Sequence, residues 1–240
     1  MTNQYQMKLE ICANSLQSAL NAQLAGADRI ELCNELSVGG VTPSLGLLNS
    51  IKEKIAIPVH VLIRPRSGDF NYSDEEFEQM KLDIELCKDL GFAGIVSGVL
   101  QEDASIDLER TATLIEISNP LSFTFHRAFD CVPNPENALE KLIQLKIDRI
   151  LTSGQKEKAI DGLELLKRLK SKAKDQLIIL PGSGIRPANT SIFKEAGFEE
   201  IHTSGSVLIK NKLPFFDNTE QRVSDAETIS EIVSIIRNES

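Results

Sequence analysis

The stretch KLEICA at residues 8–13 and the stretch DRIELC at residues 28–33 share one pattern, an aliphatic residue alternating with glutamate or cysteine. Side chains two apart in a strand point the same way. Leu9 and Ile11, or Ile30 and Leu32, therefore fall on one side, and Glu10 with Cys12, or Glu31 with Cys33, on the other. Six more β-rich runs follow: PVHVLIRP from Pro58, AGIVSG from Ala93, LSFTFH from Leu121, DRILTSG from Asp148, QLIILPG from Gln176 and EIHTSG from Glu200. Helix-period segments with readable ends separate them. Asn14 or Ser15 can cap a helix carrying Leu16, Ala19, Leu20 and Leu24, which Gly26 stops. Ser73 with Glu76 forms a capping box before Phe77, Met80, Ile84 and Cys87. Asn134 followed by Pro135 is an N-cap with proline at the first helical position, and Asp225 opens a last helix.

Eight strand–helix units exceed the five or six strands of a usual doubly wound sheet. They match a (β/α)8 TIM-type barrel, parallel and eight-stranded, which needs about 200–250 residues. A single domain over residues 1–240 is predicted. Its one irregular segment, residues 208–224, reads as a covering loop or association patch around Leu213, Pro214, Phe215 and Phe216.

The 240 residues are 41% hydrophobic and 25% charged, ordinary globular composition that excludes disorder for the bulk of the chain. A net charge of −9 argues against nucleic acid or an anionic membrane as partner. No apolar run approaches the roughly 18 residues of a membrane span. The N-terminus MTNQYQMKLEIC lacks a secretory pattern. Four cysteines without CxxC spacing form no disulfide framework or zinc ribbon. A cytoplasmic protein is expected.

Strand parity places unusual residues in the barrel. Strand three turns Val59, Val61 and Ile63 to the helices, leaving His60, Leu62 and Arg64 inside. Strand five leaves Thr124 and His126 inside, and strand eight leaves His202 and Ser204. All three histidines, two glutamates, an arginine and two thiols thus face one enclosed space. Buried carboxylates need a partner, and Arg64 is the expected one for Glu10 and Glu31. The same residues also fit a structural ion-pair layer, and Cys12 and Cys33 also fit as small buried hydrophobes. Cys87 belongs to the core stripe of its helix; Cys131 follows strand five in a loop.

Active sites of such barrels lie at the C-terminal strand ends. There stand Arg64 to Asp69, His126 to Asp130, Thr152 to Gln155, Pro181 to Gly184 and Thr203 to Ser206. Glycine-rich turns after strands seven and eight are where many barrels hold a phosphate on backbone N–H groups. Glycines that merely tighten βα turns read the same way. The anion-binding candidates are Arg66, Ser153, Gly182, Gly184, Ser204 and Gly205.

Several stretches carry a resemblance: GADRIELC from Gly26, GGVTPS from Gly39, IRPRSGDFNYS from Ile63, TFHRAFD from Thr124, LTSGQ from Leu151 and PGSGI from Pro181. From about Leu9 to Ser206 the chain resembles the CutC copper-homeostasis family. The resemblance implies a TIM-type barrel, a cytoplasmic location, an association with copper and an oligomer, often a homodimer. It brings no accepted catalytic activity. Cu(I) prefers soft thiolates, and the matching residues are Cys12 and Cys33, expected at laterally equivalent positions about 5 Å apart. His60, His126 or a glutamate would supplement them. No MxxxM or CxxC pattern of a dedicated copper carrier is present.

Two functions from different classes follow. One is a copper-homeostasis protein that binds Cu(I) through Cys12 and Cys33 inside the barrel. The other is an isomerase or lyase acting on a small anionic or phosphorylated metabolite. There the catalytic candidates are Glu10, Glu31, Arg64 and His126: His126 or Glu10 would transfer protons with a carboxylate partner tuning the pKa, while Arg64, Arg66 and the turns after strands seven and eight would hold the anion. A partner-binding scaffold is a plainer third reading, permitted by the acidic surface and Phe215 with Phe216.

Overall fold

In the computed structural model, which describes residues 6–209 and 221–237, each of the eight β-rich runs is a strand. They are β1 (Lys8–Ala13), β2 (Arg29–Leu32), β3 (Val59–Leu62), β4 (Gly94–Ser97), β5 (Ser122–Phe125), β6 (Arg149–Thr152), β7 (Ile178–Pro181) and β8 (Glu200–Thr203). Each pairs in parallel with its sequence neighbours from β1 to β7, and β1 pairs with β8. A bridge between Gly182 and His202 joins β7 to β8 and completes the ring. Followed round the ring, the register accumulates a shift of eight residues, the shear of a TIM barrel.

The intervening helices are α1 (Leu16–Leu24), α2 (Leu45–Lys54), α3 (Asp74–Asp89), α4 (Leu108–Ser118), α5 (Pro135–Gln144), α6 (Leu163–Ala173), α7 (Pro187–Glu195) and α8 (Ala226–Arg237). Their starts follow local chemistry. Ser15 accepts the Ser18 N–H, and Ser73 and Glu76 make the reciprocal capping box. Asn134 caps α5 with Pro135 at its first turn, and the Asp225 carboxylate takes the Thr228 N–H. The main hydrophobic layer lies between strands and helices, where Leu9, Ile11, Ile30, Leu32, Phe123, Phe125 and Ile201 are buried. Each such side chain contributes roughly 1.5–3 kcal/mol relative to exposure.

Inside the ring, odd and even strands supply alternate layers. The register gives Arg29, Gly94, Arg149 and Glu200 the lowest layer and Glu10, His60, Thr124 and Leu180 the next. Above them come Glu31, Val96, Leu151 and His202, then Cys12, Leu62, His126 and Gly182. Gly94 makes room for an aromatic ring in this stack, since a Cβ there would stand 2.5 Å from the His60 ring.

The segment expected to be irregular differs at its two ends. β9 (Ser206–Ile209) pairs antiparallel with β10 (Gln221–Ser224), as the strand-forming Val207 and Ile209 favour. β10 rests on α1, where Asn21 Nδ2 donates to the Ser224 carbonyl at 2.8 Å. Leu213, Pro214, Phe215 and Phe216 lie outside the described residues. Among the described residues no helix is long and apolar enough to cross a membrane.

Candidate functional site

The lowest lumen layers form an ionic floor. Arg29 donates from Nε to Glu10 and from Nη2 to Glu200. Arg149 reaches Glu200 with Nε at 2.9 Å and Ser122 Oγ with Nη1 at 2.7 Å. Two carboxylates against two guanidinium groups leave no net charge in this layer, which is what buried ions require. Burial pushes the Glu10 carboxyl up, but Arg29 and His202 outweigh it and hold it well below the ordinary range.

His202 links this floor to the site above. Its Nδ1 lies 2.7 Å from Glu10 Oε1, and its Nε2 lies 3.5 Å from Glu31 Oε2. Burial lowers the His202 pKa, yet the carboxylates of Glu31 and Glu10 overcome it and raise the pKa. Burial also raises the Glu31 carboxyl, with His202 opposing and Glu10 reinforcing the shift. His60, beside Glu31 in the register, is pushed down to about 4, first by burial, and its Nδ1 has no hydrogen-bond partner.

The two thiols meet on this ledge. Cys12 Sγ and Cys33 Sγ are 3.6 Å apart, both side chains buried, with Leu62 and Val96 packed alongside. The hydrogen bond with Cys33, then burial, raises the Cys12 thiol well above its ordinary value. The Gly39–Gly40 turn closes over the pair. Gly40 has φ +87°, and a Cβ there would stand 3.2 Å from Cys33 Cβ and 2.7 Å from Leu62 Cδ2. The ligand-type atoms of Cys12, Glu31 and His202 all lie within 4.8 Å of one another.

Above the ledge a cavity of about 600 Å³ opens at the C-terminal strand ends. Cys12, Glu31, Leu151 and His202 line its bottom, and Arg64, Phe70 and His126 one wall. Gly184, Arg186, Ser204 and Ser206 line the facing loops. His126 accepts the Ala128 N–H on Nδ1 at 3.3 Å and packs against Phe70 with ring centres 4.8 Å apart. Burial, then the Arg64 charge, pushes its pKa down to about 3.

Parity thus brings Glu10, Cys12, Glu31, Cys33, His60, Arg64, His126 and His202 into the barrel, but not in the expected partnerships. Arg64 pairs with neither glutamate. It sits at the top end of β3 and gives Nη1 to the carbonyls of Val38 and Gly40 at 2.9 Å each and Nη2 to that of Gly68 at 2.8 Å. The partner of Glu10 is Arg29. Cys12 and Cys33 are not lateral neighbours either: the register sets Cys12 against Glu31, and Cys33 lies beyond the end of β2. Strand tilt nevertheless brings the sulfurs together.

The anion candidates divide. Gly184 and Ser204 line the cavity. Gly182 belongs to the ring itself, and the Gly205 N–H donates to Thr203 Oγ1 at 3.2 Å. Ser153 is buried, holding Asp130 Oδ2 with its hydroxyl at 3.0 Å. Arg66 turns outward, engaging Glu76 and Asp69. The reading missed Arg29, Arg149 and Glu200. The repeated Asp–Arg–Ile of residues 28–30 and 148–150 was their signal: Asp28 accepts the Leu9 N–H and Asp148 the Phe123 N–H, which aims both arginines into the lumen.

Comparison with known proteins agrees with this fold. The CutC family model matches residues 7–207. A CutC family protein of Salmonella schwarzengrund is 48% identical over 207 residues, 86% of this chain and 83% of the relative. The crystal structure of the CutC protein of Streptococcus agalactiae, whose name refers to copper homeostasis, superposes with TM-score 0.77 at 32% identity, covering 82% of this chain and 98% of the other. An aldolase designated QR15 superposes with TM-score 0.61 at 15% identity over 85% of this chain and 92% of its own, a likeness of fold alone. A matched span that runs from the start of β1 into β9, with near half of its residues identical to a relative, leaves one assignment: the chain belongs to the CutC family.

Proposed function

We propose that this CutC-family chain takes part in copper homeostasis by holding Cu(I) as cargo on the Cys12–Cys33 ledge. The observation that carries the reading is the 3.6 Å separation of the two sulfurs, Cys12 lining the bottom of an open cavity and Cys33 buried directly behind it. A thiolate sits about 2.3 Å from a metal ion of this size, so both sulfurs reach one ion at a bent angle without backbone movement. Soft thiolates select Cu(I) over harder cations. His202 and Glu31 stand close enough to Cys12 to add a third donor. A bound cation would displace thiol protons, and the raised Glu31 carboxyl beside Cys12 is placed to accept one.

Anaerobic Cu(I) titration against a chromophoric chelator, on the wild type and on Cys12→Ser/Cys33→Ser, tests the reading. A one-to-one site in the wild type that the double variant lacks supports it. Equal affinities in the two proteins overturn it.

A further inference from the structure

The cavity is much larger than one cuprous ion needs, and its wall carries a buried charge with no ion-pair partner among the described residues. Arg64 is 5% exposed, yet among the described residues no carboxylate lies within 4.0 Å of its guanidinium. Its Nη groups are held by three backbone carbonyls, which orient the cation without neutralising it, and its Nε is buried with no partner. The aromatic face of Phe70, 4.9 Å from the guanidinium carbon, adds attraction but no counter-charge. Burying a charge with no counter-charge is unfavourable unless an ion meets it. Arg29, at the base of the barrel, has two carboxylates; among the described residues Arg64 is ion-paired with none.

Beside it, His126 is 4% exposed, lines the same cavity and has no partner for Nε2. Because Nδ1 accepts the Ala128 N–H, the neutral ring carries its proton on Nε2, where it can donate. The wider lining agrees in sign. Among the described residues Arg186 also lines this cavity, as does Arg127, which is paired with Asp130. A volume of about 600 Å³ suits a small organic molecule.

We propose that the Arg64–His126 wall is a binding subsite for the carboxylate or phosphate of a small organic anion, whose body occupies the cavity above the thiol ledge. The subsite is independent of the copper reading, since neither cysteine contributes to it. Arg64 supplies charge, the His126 N–H a directed hydrogen bond, and Phe70 keeps both in place.

The test uses metal-free full-length protein and three probes: inorganic phosphate, glycerol 1-phosphate and lactate. Thermal unfolding and 15N-histidine NMR are followed against probe concentration. The expected result is a concentration-dependent rise in Tm together with a shift of the His126 Nε2 signal for at least one probe. Tighter binding of glycerol 1-phosphate than of phosphate identifies a monoester, the reverse order free phosphate, and preference for lactate a carboxylate. His126→Phe keeps an aromatic ring against Phe70 and should weaken binding at least about tenfold, as loss of a hydrogen bond to a charged group implies. Arg64→Met should weaken it further, and the histidine variant carries the test if the arginine variant does not fold. Absence of any Tm or NMR response to all three probes overturns the proposal, as does binding that His126→Phe leaves intact.

Discussion

The Arg29 guanidinium stands between Glu10 and Glu200, Nε on the first carboxylate and Nη2 on the second. Its removal leaves Glu10 with His202 alone and Glu200 with Arg149 alone, one buried positive charge short. Arg29→Met should therefore destabilise the protein by about 3–5 kcal/mol, the range for breaking a buried ion pair. Arg66→Ala, which breaks solvent-exposed pairs with Asp69 and Glu76, should cost far less. Urea unfolding of both variants checks the contrast, and comparable losses would refute the floor's role.

Packing in the lumen gives a second expectation. A Cβ on Gly94 would meet the His60 ring at 2.5 Å, so Gly94→Ala should destabilise by about 1–3 kcal/mol through overpacking. Because the clash involves one ring, His60→Ala made in the same chain should be non-additive with it and recover part of the loss. Simple additivity in a double-mutant cycle would show that the strain lies elsewhere.

Acid sensitivity follows from His126. Its folded pKa of about 3 lies below the unfolded value of about 6.5, so the unfolded chain gains this proton first as pH falls. The contribution is complete above pH about 6.5 and declines by about 1.4 kcal/mol per pH unit below it. The stability of His126→Phe relative to wild type should improve at that rate between pH 6 and pH 4.5. Denaturant curves across this window measure the slope; a constant difference would contradict the buried, uncharged ring.

Copper binding should strengthen as pH rises. The Cys12 thiol is raised well above its ordinary value by Cys33 and by burial, so Cu(I) must displace its proton at neutral pH. Affinity should climb by about tenfold per pH unit for each thiol displaced. Chelator competition at pH 6, 7 and 8 reads this directly, and a flat profile would speak against thiolate ligation.

How much of this was legible in the chain depends on the distance over which each residue acts. Alternation along eight short runs is a local property, and it sufficed for the barrel and for which side chains face inward. Cys12 and Cys33 show where it fails. Their matching places in KLEICA and DRIELC suggest lateral neighbours, but the shear of the ring sets Cys12 against Glu31, and shear belongs to all eight strands together. Arg64 was given the wrong partner because loop carbonyls leave no mark in composition. Arg29 and Arg149 were open to the same parity, one step before the first aliphatic residue of each strand.

The ionic floor also governs traffic. With Arg29, Glu10 and Glu200 interlocked across the base, the chamber is a cul-de-sac rather than a conduit. Whatever reaches the ledge has to depart through the mouth by which it arrived. On the proposed copper reading, delivery and retrieval share one doorway, and an acceptor would have to present its own donors at the rim instead of drawing the ion through the barrel.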